Sequence, residues 1–148
     1  MAILATPLYV TVGSYLLVGF LVSIVSFIVA GALYMNPIVA KIYESFRKSD
    51  GFKSWTNKKE YIGKMYLFGM LIPSILFTVV YQYIKEVLPG GIIPNALVFG
   101  VILVAVRIIP RWADMFMQTT YPNKLLKIEL LNGTIISFVM AFVLALIG

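Results

Sequence analysis

The amino-acid sequence predicts an all-α membrane protein, a bundle of four membrane-spanning helices with a short interfacial helix in the first cytoplasmic loop. Two observations lead to this prediction. Of the 148 residues, 61% are hydrophobic and only 12% are charged, which is more apolar surface than one soluble core of this size could bury. The apolar residues also fall into four stretches, each near the ~20 residues that cross a bilayer. We therefore expect residues 1–148 to form a single membrane domain.

Proline, glycine and polar residues separate the four stretches. Thr6-Pro7 offers an N-cap and a first-turn proline for the first span, and Asn36-Pro37 ends that span. Pro89-Gly90-Gly91 makes a tight turn between the second and third spans. The sequence TTYPNK, residues 119–124, separates the third span from the fourth. The predicted spans cover about residues 8–35, 61–83, 94–113 and 125–147.

Residues 37–49, PIVAKIYESFRKS, have the pattern of an amphipathic helix. Ile38, Ile42 and Phe46 share one side, and the basic residues lie on the others. A helix with this distribution lies in the membrane interface with its basic residues toward the headgroups. We therefore predict an interfacial helix over about 37–49.

The basic residues predict the orientation of the chain. Of the twelve Lys and Arg residues, seven lie between positions 34 and 64 and four between 107 and 127, whereas Lys85 alone lies elsewhere. The positive-inside rule therefore places loops 34–64 and 111–124 in the cytoplasm and both termini outside a cell membrane. These loops also account for the formal net charge of +6. The expected partners are the lipid bilayer and anionic lipid headgroups at the cytoplasmic face, with no nucleic acid.

The chain contains neither cysteine nor histidine. Thiolate nucleophiles, disulfides, cysteine-ligated clusters, the usual zinc sites and histidine general bases are therefore excluded. Carboxylates could still serve as acid and base, but the sequence shows no second activated group beside them. We expect no enzyme activity, no cofactor and no metal site.

Small residues recur along one face of the fourth span and on a comparable face of the first. Close packing at small residues takes the place of the hydrophobic effect between helices in lipid. We expect these faces to bring the first and fourth spans together; the alternative is that the fourth-span face is a homo-oligomer contact. The faces consist of Gly133, Ser137, Ala141 and Ala145 in the fourth span and of Gly19, Ser23, Ser26 and Ala30 in the first.

Five polar residues form a candidate site near the cytoplasmic ends of the third and fourth spans. Arg107, Arg111 and Asp114 cover one helix face within roughly 60°. Glu129 and Asn132 lie in the fourth span, where Glu129 precedes the small-residue face and is therefore directed toward the bundle. Ion pairing of Glu129 with either arginine is geometrically plausible.

Two interpretations of these five residues remain open. Ionisable groups inside a membrane mark a ligand or ion site because unpaired charges in hydrocarbon are costly. Alternatively, Arg107 lies several ångströms inside the boundary and snorkels to the headgroups, and the set is an anchor with a structural ion pair.

Pro73 near the middle of the second span interrupts that helix. A proline frees a backbone carbonyl, which a neighbouring helix, a serine or a water molecule must satisfy. The simpler interpretation is a packing kink, and the alternative is a gate.

Residues 31–43, GALYMNPIVAKIY, resemble the end of the first span in a family of small four-span bacterial and archaeal membrane proteins with no known function. In that family the stretch reads approximately Gly-x-x-Trp-Tyr-Ser-Pro-Leu-Phe-Gly-Lys-x-Trp. Span number, length and a late asparagine in the last span, here Asn132, are also similar. The resemblance implies a four-span fold and argues against a known class of transporter or enzyme. Gly31, Pro37 and Lys41 match the pattern, Tyr34 and Tyr43 stand where Trp is usual, and Met35 and Ala40 depart from it.

The sequence thus favours a small structural or accessory membrane protein that acts by helix–helix association, with itself as a homo-oligomer or with a larger membrane complex. The alternative is a ligand-binding or transport protein. Its cytoplasm-facing pocket for an anionic lipid headgroup or a small solute would be lined by the five polar residues.

Overall fold

The computed structural model describes residues 8–148 apart from residues 52 and 54, with side chains from Thr11 onward, and this part of the chain is helical without strands. The predicted cap at Thr6-Pro7 lies outside the described residues. The helices are α1 (Leu8–Tyr34), α2 (Pro37–Ser45), α3 (Lys58–Tyr66), α4 (Ile72–Ile84), α5 (Ile92–Leu103), α6 (Ile109–Gln118) and α7 (Asn123–Ile147). Two π-helical segments, Leu67–Leu71 and Val104–Ile108, join α3 to α4 and α5 to α6, and a short 3₁₀ turn, Lys85–Val87, follows α4.

Four helical runs are long and apolar enough to cross a membrane: Thr11–Tyr34, Lys58–Val87, Ile92–Gln118 and Asn123–Ile147. The prediction of an all-α bundle with four spans is therefore confirmed. The second run begins at Lys58, earlier than predicted, because the Asn57 side chain caps it by accepting hydrogen bonds from the backbone N–H groups of Lys59 and Glu60. The helix α2 forms inside the predicted interfacial stretch; its place in a membrane interface stays a prediction, as do the orientation of the termini and the single-domain assignment.

The last span, α7, lies against α1 and α5 and contributes more buried side chains than any other described helix. Met140 and Leu144 of α7 are fully buried, and so are Val22 of α1 and Phe99 of α5. The Phe99 ring meets the Tyr81 ring of α4 edge to face, with centroids 5.1 Å apart. One apolar core therefore runs between the four spans.

The small residues of α7 pack against other helices of the same chain. Ser137 and Ala141 are fully buried, and Ala145 packs partly buried against the core. A Cβ added to Gly133 would lie 2.9 Å from the Ile108 side chain. This face therefore receives neighbouring spans of the same chain.

The small residues of α1 are also internal, but Gly19 packs against a different span than expected. Ser23 and Ser26 are fully buried and Ala30 is 6% exposed. A Cβ added to Gly19 would lie 2.7 Å from the Cα atom of Ile75 in α4. At Gly19, therefore, α1 packs against α4 and not against α7.

The loops at one end of the bundle touch each other. Gly51, in the loop before α3, has φ +82° and lies against Thr120, in the loop before α7. We call this end, where α1 and α6 finish and α3 and α7 begin, the charged end. The contact brings residues that are distant in sequence to one face of the bundle.

Gly19→Ala should destabilise the protein by about 1–3 kcal/mol, because the new methyl group meets the α4 backbone, which cannot move aside without repacking. The matched control is Gly31→Ala on the same helix, where an added Cβ meets nothing within 4 Å and alanine favours the helix. Unfolding of the purified protein in detergent would measure both variants. Equal stability of the two variants would contradict the close approach of α1 to α4.

Candidate functional site

The carboxylate of Glu129 links three helices at the charged end. It accepts hydrogen bonds from the hydroxyl of Tyr34, the last residue of α1, at 3.0 Å and from the hydroxyl of Tyr43 in α2 at 2.5 Å. The guanidinium of Arg111 in α6 lies 3.7 Å away, and the Glu129 side chain is only 20% exposed. Hydrogen bonds to a charged group contribute about 1.5–3 kcal/mol each. This carboxylate therefore fastens α1 and α2 to the start of α7.

Protonated tyrosines surround this carboxylate. Burial and the negative charge of Glu129 raise the pKa of Tyr121, in the loop before α7, to about 12. The same two causes raise the pKa of Tyr43 above its ordinary value. The Tyr34 and Tyr43 rings also meet edge to face at 5.9 Å. The Tyr43 and Tyr121 phenols therefore remain neutral at every physiological pH.

A pocket of about 430 Å³ opens beside this cluster and shares Tyr34 and Tyr43 with it. Its lining combines basic and aromatic side chains contributed by the ends of α1 and α2, the following loop and the start of α3. We call it the basic–aromatic pocket. Its lining residues are Tyr34, Ala40, Tyr43, Glu44, Arg47, Lys53, Trp55, Lys58, Tyr61 and Ile62.

Cations lie against the Trp55 ring in this pocket. The Nζ atom of Lys53 lies 4.6 Å from the ring centroid and that of Lys64 lies 5.1 Å from it, within the range of a cation–π interaction. Among the described residues, neither Lys53 nor Lys58 forms an ion pair, whereas Arg47 pairs with Glu44 at 3.1 Å. The pocket lining contains three basic residues, Arg47, Lys53 and Lys58, and one acid, Glu44, so the pocket carries a net positive charge.

The five polar residues predicted as one site separate in the structure. Glu129 and Arg111 lie together, as given above. The Nη2 atom of Arg107 donates a hydrogen bond to the carbonyl of Gly69 at 2.9 Å, and its Nη1 atom lies 3.4 Å from the sulfur of Met140. Asp114 is exposed on α6.

Asn132 is 4% exposed, and its side-chain nitrogen has no hydrogen-bond partner within the described part of the chain. It therefore lies inside the bundle, and no hydrogen bond links it to the other four polar residues.

Sequence reasoning missed the tyrosines and the pocket beside them. Tyr34 and Tyr43 appeared only as the positions at which the resembled family usually has Trp, and aromatic rings at a span boundary are expected in any membrane protein. A usable signal existed, because both flank the Asn36-Pro37 break and so fall at the same end of the bundle as Glu129. A partly buried carboxylate requires hydrogen-bond donors, and these two hydroxyls supply them.

Comparison with protein-family models, curated proteins and solved structures found no match to this chain. Among the residues that the structure describes, no group of three acidic, His or Cys side chains could hold a metal ion.

Glu129→Gln should lower the pKa of Tyr121 below about 12 while burial keeps it above the ordinary value of 10.0. A phenol with a raised pKa stabilises the fold below pH 10, and this contribution is lost as the pH rises through about 12. In the variant, this contribution should therefore be smaller, and its loss should be complete at a lower pH. The ultraviolet absorbance of phenolate, compared with and without Tyr121→Phe, measures the titration.

The matched control is Glu86→Gln, which removes an exposed acid at the opposite end of the bundle. This control should leave the Tyr121 titration unchanged. If Glu129→Gln also left it unchanged, the carboxylate would not lie beside the tyrosines.

Proposed function

We propose that this integral membrane protein is not an enzyme but binds an anionic, phosphate-bearing ligand in the basic–aromatic pocket. The observation that supports the proposal is a pocket of about 430 Å³ whose lining contains three basic residues, Arg47, Lys53 and Lys58, and only one acid, Glu44. Ligand pockets of small molecules usually measure about 300–1,000 Å³. A phosphate group fits the chemistry of this lining best.

The lining residues supply the donors that phosphate requires. Lysine and arginine bind phosphate oxygens through charge-assisted hydrogen bonds, and the planar guanidinium does so with two donors at once. Lys58 has no partner of its own in the described structure. The Tyr34 and Tyr43 hydroxyls are occupied by Glu129, so they shape the pocket rather than contact the ligand as donors.

The position of the pocket fits a ligand at the membrane surface. The pocket lies between the end of the first span at Tyr34 and the start of the second at Lys58. Trp and Tyr side chains favour the headgroup level of a bilayer. With the orientation predicted from the basic loops, a lipid headgroup in the inner leaflet or a cytosolic phosphate compound would reach the same residues.

The expectation of a structural or accessory role through helix association stays a prediction. The small-residue faces on which it was based are buried inside the chain, as Ser137 and Ala141 illustrate. Association as a homo-oligomer or within a larger complex would therefore have to use other faces. Ligand binding has more support than helix association, because the basic side chains and the cavity are both present in the structure.

The test uses Trp55 as a reporter in a Trp112→Phe background, with the protein in phosphatidylcholine nanodiscs. Short-chain phosphatidic acid should change the Trp55 fluorescence saturably, and short-chain phosphatidylcholine should not. Replacing both Arg47 and Lys58 with glutamine should weaken binding about thirty-fold, because each basic contact near the membrane surface contributes ~1 kcal/mol.

The control variant replaces Lys124 and Lys127, two exposed basic residues of α7 outside the pocket. It should bind as the unmodified chain does. A parallel titration with inorganic phosphate distinguishes a lipid headgroup from a free phosphate compound. An equal response to phosphatidylcholine, or equal binding by the pocket and control variants, would overturn the proposal.

A further inference from the structure

Pro73 interrupts the regular hydrogen-bond pairing of the second span and leaves the Gly69 carbonyl without its usual donor. In a regular helix the N–H of residue 73 would donate to the carbonyl of Gly69, but proline has no N–H. Gly69 lies within the π-helical segment Leu67–Leu71, directly before the Ile72-Pro73 pair. A freed carbonyl inside a membrane needs a donor from elsewhere.

Arg107 supplies that donor from the third span. Its Nη2 atom lies 2.9 Å from the Gly69 carbonyl oxygen. Arg107 itself belongs to the other π-helical segment, Val104–Ile108, which also directly precedes an Ile-Pro pair. The hydrogen bond therefore joins the irregular turns of two neighbouring spans.

Arg107 is held by this carbonyl rather than by an acid. Within the described ranges, no carboxylate lies within ion-pair distance of its guanidinium, and Glu129 pairs with Arg111 instead. Its second contact is the sulfur of Met140 in α7. A charged donor in surroundings of low dielectric makes a strong hydrogen bond. The Gly69 carbonyl is thus the principal polar partner of Arg107.

The π-helical turn Leu67–Leu71 connects α3 to the rest of the second span, and α3 makes few contacts with the other spans. No side chain of α3 is buried, although Tyr66 at its end contacts the Ser23 hydroxyl at 2.9 Å and the Phe27 ring at 5.2 Å. The beginning of α3 supplies Lys58, Tyr61 and Ile62 to the basic–aromatic pocket. The geometry of the turn therefore sets the position of one pocket wall.

We propose that Arg107 is a positioning residue for the basic–aromatic pocket. It replaces the donor missing at Pro73, fixes the turn at Leu67–Leu71, and thereby holds α3 where Lys58 faces the ligand. The effect on ligand binding rests on the proposed function, whereas the position of α3 can be measured without any ligand.

The first measurement is a distance between spin labels, which the chain permits because it contains no cysteine. Labels at cysteines introduced for Lys59 in α3 and Lys127 in α7 should give one narrow distance distribution in nanodiscs. Arg107→Met should broaden it, and Arg107→Lys, which keeps a charged donor, should largely preserve it. Pro73→Ala combined with Arg107→Met should restore the narrow distribution, because alanine returns a backbone N–H near the Gly69 carbonyl.

The second measurement repeats the Trp55 titration with short-chain phosphatidic acid. Arg107→Met should weaken binding about tenfold or more, which corresponds to the loss of one charge-assisted hydrogen bond. The double variant should bind within about twofold of Pro73→Ala alone if the restored N–H replaces the arginine. If Arg107 acted only through contacts elsewhere in the bundle, a substitution at Pro73 would not restore the binding that Arg107→Met loses.

An Arg107→Met chain with the unmodified distance distribution would overturn the inference, and so would broadening that Pro73→Ala does not reverse. If Arg107→Met fails to fold, a double variant that matches Pro73→Ala in both measurements supports the inference, and one that differs overturns it. An unmodified chain that does not respond to phosphatidic acid overturns the proposed function instead, and the distance measurement then decides the role of Arg107 alone.

Discussion

The hydrogen bonds from Tyr34 and Tyr43 to Glu129 are the interaction on which the charged end of this protein depends. The helix α2 buries no side chain, so apolar packing contributes little to its position. In lipid, helix association also lacks the hydrophobic driving force that operates in water. A partly buried carboxylate with two phenol donors supplies the missing attachment, and the pocket between α2 and α3 depends on it.

The same principle operates deeper in the bundle, where Arg107 bonds the carbonyl of Gly69. Helices broken by proline are tolerated inside a membrane when a neighbouring group satisfies the freed backbone. Small residues such as Gly19 and Ser137 bring the spans close together, and a few polar contacts then decide how the two irregular turns face each other. Close packing therefore brings the four spans together, whereas a few polar hydrogen bonds fix the irregular turns and the charged end.

The sequence predicts the fold well because hydropathy and span length have direct physical causes. It predicts the breaks at Asn36-Pro37 and Pro89-Gly90-Gly91, and that Pro73 frees a carbonyl. It does not identify Arg107 as the donor, because that requires the depth and rotation of two spans. The third span continues to Gln118, beyond the predicted end, because charges on one face of α6 lower its hydropathy without ending the helix. The π-helical segments and the tyrosine cluster depend on tertiary contacts that composition does not reveal.

Hydrogen–deuterium exchange of α2 in nanodiscs tests the central claim, that Glu129 holds this helix, most directly. In Glu129→Gln, the amides of residues 38–45 should exchange about tenfold faster or more, since one charge-assisted hydrogen bond is weakened. The core of α5 around Phe99 should keep its protection. Unchanged exchange in α2 would contradict the account, because the helix would then be held by contacts other than the carboxylate.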